Sequence, residues 1–480
     1  SLDRLSHLEV ALIMIPITTY QDKGVAVFGL GRTGLSAVRA LVAGGADVLV
    51  WDDDPNRRLA AKELGARAAE PLAEAWDGIA ALVLSPGVPL THPQPHPVVV
   101  LAHRLGAEIL GDVELFARGK PACKVVAITG TNGKSTTTSL LHHILIEAGV
   151  RSQAGANLGH PVLDFDVLDQ SAAYILELSS YQIDLTSGLR PDAVALLNIS
   201  PDHLDRHGGM DGYVAAKRRL LEMAGPDVPL IIGGDDEYSS RICQDMYAKG
   251  RKVVEIAVGR AIAEGIFVQD GLLQRAGYED AITDLSNIDT LQGPHNWQNA
   301  AAAFGLAEAF GLSETQILHG LRSYPGLPHR MEIVARLDNV LFVNDSKATN
   351  AEAAAHALAV YDDIFWIAGG IAKQGGIHSL APYNGKIRRA YLIGEAAPSF
   401  AEFLNGRVKH ELSGRLVTAI QAAYKAASKS GGVVLLSPAC ASFDQFTSFE
   451  ARGDQFRALA QEIAGNDSNG SSRRVTGGAV

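Results

Sequence analysis

The sequence predicts an α/β protein of three domains. Short β-branched apolar runs alternate with helix-spaced stretches along nearly the whole chain, and two glycine-rich loops each follow such a run and open a helix. A length of 480 residues exceeds what one hydrophobic core supports and fits about three.

The first block runs from Gly24 to about Gly111. "VAVFGL" is a strand, "GLSAVRALVAGG" a helix that ends at glycines, "DVLVWDD" the next strand, and "ALVLSPGVP" a strand stopped by Pro86 and Gly87. The second block opens at "KVVAITG" and carries the strands "AAYILEL", "AVALLNI" and "VPLIIGG". Its helices include "TTTSLLHHILIEAG" and "NWQNAAAAFGLAEAFG". The third follows the Pro/Gly-rich linker "YPGLPHR" at 324–330 and carries "VLFVNDS", "DIFWIAGG", "RAYLIGE" and "GVVLLSPA". The end, "GNDSNGSSRRVTGGAV", has no apolar period, and a disordered tail is expected at 467–480.

Hydrophobic residues make up 47% and charged residues 20%, the profile of a folded chain. A net charge of −11 argues against broad nucleic-acid binding. Cys123, Cys243 and Cys440 have neither metal-ligand nor redox spacing. The one segment like a targeting signal, Leu8–Ile15, carries Glu9, follows a single arginine and lacks a small-residue cleavage site. No run approaches the ~20 apolar residues of a membrane span. A cytoplasmic monomer is expected.

"ITGTNGKST" has the context of a phosphate loop. Backbone N–H groups and a helix N-terminus face an anion, Lys134 adds a point charge, and Ser135 offers a magnesium ligand. Ile128 stands where the full motif has its first glycine, so the loop is the shorter G-x-x-G-K-S form. "GLGRTG" matches G-x-G-x-x-G with Asp52 at the end of the next strand, which on its own terms suggests a dinucleotide or only a tight turn. Glu177 in "LELSSYQ" and His203 in "NISPDHLDRH" each follow a strand of the second block. With Ser135 they form an oxygen-rich set with one imidazole, suited to Mg²⁺ or Mn²⁺. Lys217, flanked by Arg218 and Arg219 in a helix, reads as part of a solvated face. Asn296 and Asn299 lie within one helical turn, able to meet one ligand or, for Asn296, to cap the helix. In the third block the polar loops "NDSKATNAEA", "AGGIAKQGG" and "LSPACASFDQF" follow strands and suit a small charged molecule.

Taken in order, GTNGKST, LELSSYQ, NISPDHLDRH with AAK downstream, HNWQNAAAA, GLPHR, NDSKATN and LSPACASFDQF resemble the Mur ligases, from about Gly24 to Ala464. The last two stretches point to the member that adds D-glutamate. The resemblance implies a Rossmann-like UDP-sugar domain (1–111), a central P-loop ATPase domain with a mostly parallel sheet (112–326), and a Rossmann-like amino-acid-binding domain (327–466). It implies an ATP- and Mg²⁺-dependent ligase joining D-glutamate to UDP-N-acetylmuramoyl-L-alanine through an acyl phosphate, with no nucleic-acid or membrane partner.

By the same resemblance Gly130, Thr131, Asn132, Gly133, Lys134, Ser135 and Thr136 match the ATP loop. Asn299, Arg330 and Asp345 match further ATP contacts. Ser135, Glu177 and His203 match metal ligands, joined by Lys217 if it is carbamylated as in the family. Asn157 matches a residue beside the reacting centre, and Lys134, Asn157, His203 and Lys217 are the expected catalytic set. Thr33, Asp53 and Ser85 match the uridine-nucleotide site; Lys347, Thr349, Lys373, Ser442 and Phe449 match the D-glutamate pocket. "GRTG" and "WDDDPNR" depart from the commonest family forms. Two other readings remain at this level: a related Mur-type or folylpolyglutamate-type ligase, and a nicotinamide-dependent oxidoreductase built on "GLGRTG".

Overall fold

The computed structural model describes residues 14–71, 76–157, 159–373 and 375–473, the stretch 466–473 by its backbone alone. The chain divides into two compact units, Ser1–Tyr324 and Pro325–Val480, with the boundary inside the expected linker. The fold is α/β throughout, as expected.

The first unit holds two sheets. One contains β1 (Gly24–Phe28), β2 (Asp47–Trp51), β3 (Arg67–Ala68), β4 (Ile79–Leu84) and β5 (Glu108–Leu110) in the order β3-β2-β1-β4-β5, all parallel. The chain reverses its spread between β1 and β4, so the loops after these two strands flank one crevice. Gly29 turns the chain at φ 89° while a Cβ there would lie 2.6 Å from the Ser85 Cβ. Inside the helix Arg32–Ala43, a Cβ on Gly34 would come within 2.0 Å of the Gly29 carbonyl oxygen. Only glycine lets this helix approach the loop so closely.

The second sheet contains β6 (Lys124–Thr129), β7 (Ser152–Ala156), β8 (Ala173–Glu177), β9 (Ala193–Leu196), β10 (Leu230–Gly233), β11 (Val253–Val258), β12 (Ile266–Gln269), β13 (Leu272–Arg275) and β14 (Ala281–Asp284). Its order is β14-β13-β12-β11-β10-β9-β6-β8-β7, with only β13 running antiparallel to the rest. Strand β6 sits between β9 and β8, so their C-terminal loops share one edge. Ala300, Ala301, Ala302 and Ala303 are all buried in the helix Pro294–Phe310, and their small side chains let it pack against the helix Lys134–Glu147. The helix Asp112–Arg118 ties the two sheets together: Phe116 meets Tyr174 edge-on at 5.2 Å, within a core that spans both.

The second unit contains β15 (Glu332–Leu337), β16 (Val340–Asn344), β17 (Ile364–Gly369), β18 (Ile371–Ala372), β19 (Ile387–Ile393), β20 (His410–Gly414), β21 (Gly432–Leu436) and β22 (Cys440–Ala441). Six strands run β15-β16-β21-β17-β19-β20, with only β15 antiparallel, and β18 pairs with β22. The C-terminal helix extends from Phe449 to Arg473, so the expected tail is helical through Arg473; residues 474–480 lie outside the described part, as does Leu8–Ile13. Among the described residues, no helix is long and apolar enough to cross a membrane.

Candidate active site

The loop after β6 is held from below by side chains that sequence reasoning did not single out. Asn198, at the end of β9, accepts from the Thr131 amide through its carbonyl (2.8 Å) and from the Asn132 amide through its side chain (2.8 Å). Thr131 Oγ1 lies 3.1 Å from the Tyr213 hydroxyl and accepts from the Ser200 amide. Gly133, at φ 84°, then launches the helix, and a Cβ there would meet Asn299 Oδ1 at 2.1 Å. Asn299 is thus packed under the loop; it accepts from Thr137 Oγ1 and donates to Asn296. Asn296 does not cap this helix: Gly293 is the cap, and Asn296 donates back to the Gln292 carbonyl.

Two lysine side chains meet at one carbonyl. Lys134 Nζ donates to Gly130 O (2.9 Å) and Thr131 O (2.7 Å), and Lys217 Nζ donates to the same Gly130 O (2.8 Å). The solvated-face reading of Lys217 is therefore overturned: the residue is 1% exposed, with its ammonium 4.7 Å from the Tyr213 ring centroid. Burial, and then the charge of Lys134, lower its pKa well below the usual lysine value, with Asp202 opposing. Sequence alone misleads here because Arg218 and Arg219 do point outward, to Glu222, Asp245 and Asp184. Tyr213 was legible only as the residue one helical turn before Lys217.

Around this focus, Asn157 Nδ2 donates to Glu177 Oε1 at 2.7 Å. Glu177 is 2% exposed, and its Oε2 is buried without a hydrogen-bond partner. His203 occupies a left-handed backbone position (φ 50°) and tilts against Tyr181 at 5.0 Å. Burial lowers its pKa; Lys134, Lys217 and His207 add to this, against Asp202. Among the described residues, no group of three or more His, Cys, Asp or Glu stands ready to hold a metal.

Between the two sheets of the first unit lies a cavity of about 260 Å³ lined by Arg32, Thr33, Ser85, Pro86, Gly87, Ala156, Asn157, Gly159, Pro161 and Gln182. It joins the first glycine loop to Asn157. Asp53 is exposed and is not among its lining residues. The buried acid at this strand end is Asp52, whose carboxylate accepts from the amides of Leu30 (2.6 Å) and Asp54 (2.9 Å) and so fixes the loop.

In the second unit the loops after β16, β17 and β21 adjoin. Asp345 is 4% exposed and accepts from Met331 N and from Ser437 Oγ at 2.7 Å; burial raises its pKa to about 7, against these two donors and Arg330. Lys347 Nζ stands 4.0 Å from the Phe449 ring centroid. Thr349 follows within two residues, Ser442 is buried, and Lys373 is exposed beyond β18. Arg452, unremarked in the sequence, is buried and binds Ser346 and the Cys440 carbonyl, fastening two of these loops to the C-terminal helix.

Three family descriptions match the chain: "Mur ligase MurD-like, N-terminal domain" at 23–111, "Mur ligase middle domain" at 128–307, and "Mur ligase, glutamate ligase domain" at 329–440. The chain is 52% identical over 461 residues to the UDP-N-acetylmuramoylalanine–D-glutamate ligase of Caulobacter vibrioides, covering 94% of this chain and 98% of that one. It is 53% identical over 452 residues to the ligase of the same name from Rhizobium meliloti, covering 92% and 97%. Among solved structures, the UDP-N-acetylmuramate–alanine ligase of Thermotoga maritima shares the fold at a TM-score of 0.56 and 16% identity, over 92% of this chain and 99% of that one.

Proposed function

The chain belongs to the Mur ligase family, and from that premise we propose that it is the ATP-dependent, ADP-forming ligase that adds D-glutamate to UDP-N-acetylmuramoyl-L-alanine in peptidoglycan synthesis. The observation that carries the reading is the pair of lysine side chains that meet at the Gly130 carbonyl, set at a helix N-terminus on the switch-point edge of a parallel sheet. Such a focus suits a polyphosphate and has no use in hydride transfer. Residues 1–111 take the UDP-sugar, 112–326 ATP, and 327–466 the amino acid. Both nucleotide substrates belong to the cytoplasm, where the protein acts as a monomer.

A carboxylate is a poor electrophile, so the reaction begins by making it a better one. An oxygen of the L-alanyl carboxylate attacks the γ-phosphorus of ATP; ADP departs and an acyl phosphate forms. The amine of D-glutamate then attacks the acyl carbon, loses a proton, and phosphate leaves as the amide forms. Lys134 offsets the charge that three anionic reactants bring together. The loop 130–136 and Asn299 bind ATP, and Arg330 and Asp345 are assigned to ATP as well. Thr33 and Ser85 bind the uridine nucleotide, with Asp53 assigned beside them, and Asn157 holds the reacting end of that substrate. Lys347, Thr349, Lys373, Ser442 and Phe449 form the D-glutamate pocket.

The residues fit Mg²⁺, which when bound neutralises phosphate oxygens. Glu177 has a buried oxygen in want of a partner, and the depressed pKa of His203 keeps its imidazole neutral and free to ligate. Ser135 completes the set, with Lys217 as its carbamate; the lowered pKa of Lys217 favours the neutral amine that carbamylation requires. Phosphate release with ATP, Mg²⁺ and UDP-N-acetylmuramoyl-L-alanine should require D-glutamate. L-glutamate, L-alanine and meso-diaminopimelate should fail to replace it, and equal turnover with any of them overturns the assignment.

A further inference from the structure

Behind the mouth of the uridine-nucleotide crevice lies a carboxyl that the ligase reaction does not use. Asp112 opens the helix Asp112–Arg118 and is 3% exposed. Both of its oxygens are buried and neither completes a hydrogen bond. It lines a cavity of about 10 Å³ together with Thr33, Gly34, Val83 and Ser85, room for about one water. Thr33 and Ser85 also line the larger crevice, so these two residues are shared between the cavity at Asp112 and the space where the diphosphate would lie.

An ionised carboxylate is a poor fit here. The donors in reach, the Val113 amide and the Gln182 side chain, do not offset its burial, and it would share its small cavity with Thr33 and Ser85, whose hydroxyls are to face an anion. The charges on the surrounding elements are committed elsewhere. Glu114 accepts from the Ser187 and Gly188 amides and from Arg118, Arg39 pairs with Asp164 at 2.8 Å, and Arg32 donates to the Gly159 carbonyl. A neutral carboxyl has one hydrogen to give. Donated to the Ser85 or Thr33 oxygen, directly or through one water, it orients those hydroxyls outward.

We propose that Asp112 is a positioning residue of the uridine-nucleotide site that acts in its protonated form, so that the nucleotide takes up a proton from solvent as it binds. The inference rests on the assignment of this crevice to the UDP-sugar. Burial already raises the Asp112 carboxyl to about 6, against the weaker pull of the Val113 amide and the Gln182 side chain. A diphosphate brought nearby raises it further. Affinity is then fully present below the free-state pKa and declines as pH rises toward the bound-state pKa.

The test is calorimetric titration of the intact protein with UDP-N-acetylmuramoyl-L-alanine, whose diphosphate and carboxylate keep constant charge between pH 6 and 8. In wild type the affinity should fall about tenfold or more across that range, and heats in buffers of different ionisation enthalpy should report proton uptake. Asp112→Asn should bind with a flat pH profile and without that uptake. Equal uptake in Asp112→Asn, or pH-independent binding by wild type, overturns the proposal. Should Asp112→Asn fail to fold, infrared difference spectra of wild type at pH 7.5 decide: a protonated-carboxyl band must grow as the ligand binds, and its absence overturns the proposal. Lack of binding at every pH would instead defeat the assignment of the crevice.

Discussion

The two glycine loops of the first unit, Gly29–Gly34 and Gly130–Ser135, are the same device twice. Each follows a strand at a sheet's switch point, and each carries a glycine no other residue can replace without a clash, Gly34 in the first turn of one helix and Gly133 at the N-cap of the other. They differ in what stands behind the backbone. The first is pinned by a carboxylate, Asp52, on the Leu30 amide, and faces a crevice with hydroxyls and one arginine on its wall. The second has two lysines on the Gly130 carbonyl. The glycines dictate the turn; the charge beneath them selects the ligand. Hydroxyls and amides suit a diphosphate diester of modest charge, while the ammonium of Lys134 beside a buried lysine suits a triphosphate whose γ-phosphoryl must be moved.

Removing the charge tests that difference most severely. Lys134→Ala should lower ligase turnover by about 10²–10³-fold, the usual scale for a lost transition-state electrostatic contact, while leaving calorimetric affinity for UDP-N-acetylmuramoyl-L-alanine within about twofold. A comparable loss of that affinity would mean the loops are not separate sites.

Lys217→Arg should come next, with a loss of about 100-fold in phosphate release and an unchanged folded-state circular dichroism spectrum. Arginine retains a positive charge but cannot become a carbamate, and no neutral form of it is accessible. Near-full turnover in bicarbonate buffer would reduce Lys217 to a packing residue and leave Lys134 as the loop's sole functional cation.

Backbone substitutions should then separate the loops symmetrically. Gly34→Ala drives a methyl into the Gly29 carbonyl at 2.0 Å, and Gly133→Ala drives one into Asn299 Oδ1 at 2.1 Å from a left-handed φ. Each should cost about 1–3 kcal/mol of stability. Gly34→Ala should weaken the UDP-substrate and spare ATP, and Gly133→Ala the reverse, read by titrating each ligand separately. Identical ligand profiles for the two variants would mean that strain spreads through the shared core.

Much of this contrast was legible in the sequence, because glycines and strand-end polar residues are local signals. "GTNGKST" and "GLGRTG" announce their turns, and Glu177 and His203 their strand ends. The burial of Lys217 was not legible, since its neighbours Arg218 and Arg219 are solvated and only the packing of Tyr213 beneath the loop turns one residue of the three inward. Asn198 and Asp112 were missed for a related reason. Each lies beside residues far along the chain, the loop amides for one and Thr33 and Ser85 for the other. The pattern of a strand reveals which residues are inside, and says nothing of which polar atom waits beside them.

The smallest expected effect sharpens the contrast within the first loop. Asp52 and Asp112 are both buried acids serving the same glycine turn, yet their pKa values move in opposite directions. Burial alone would raise Asp52, but the amides of Asp54 and Leu30, with Arg57, hold it below the usual carboxylate value. For Asp112 the Val113 amide and the Gln182 side chain pull downward too, but burial prevails. The stabilisation from Asp52 is therefore present above the ordinary carboxylate pKa and lost as pH falls through its lower folded value. The contribution of Asp112 runs the other way: complete below the ordinary value, lost as pH rises through about 6. Scanning calorimetry of the ligand-free protein should show Asp52→Asn losing most Tm relative to wild type at pH 7, with the gap closing in acid. Asp112→Asn should gain relative to wild type between pH 5 and 8, since it removes a carboxyl whose donors do not offset its burial when it ionises. Each change should amount to a few degrees at most, because about 1 kcal/mol shifts Tm by about 2–4 °C in a domain of this size. Parallel pH trends in the two variants would show that both carboxyls are ionised alike, and the first loop would then carry two fixed negative charges behind an anion site.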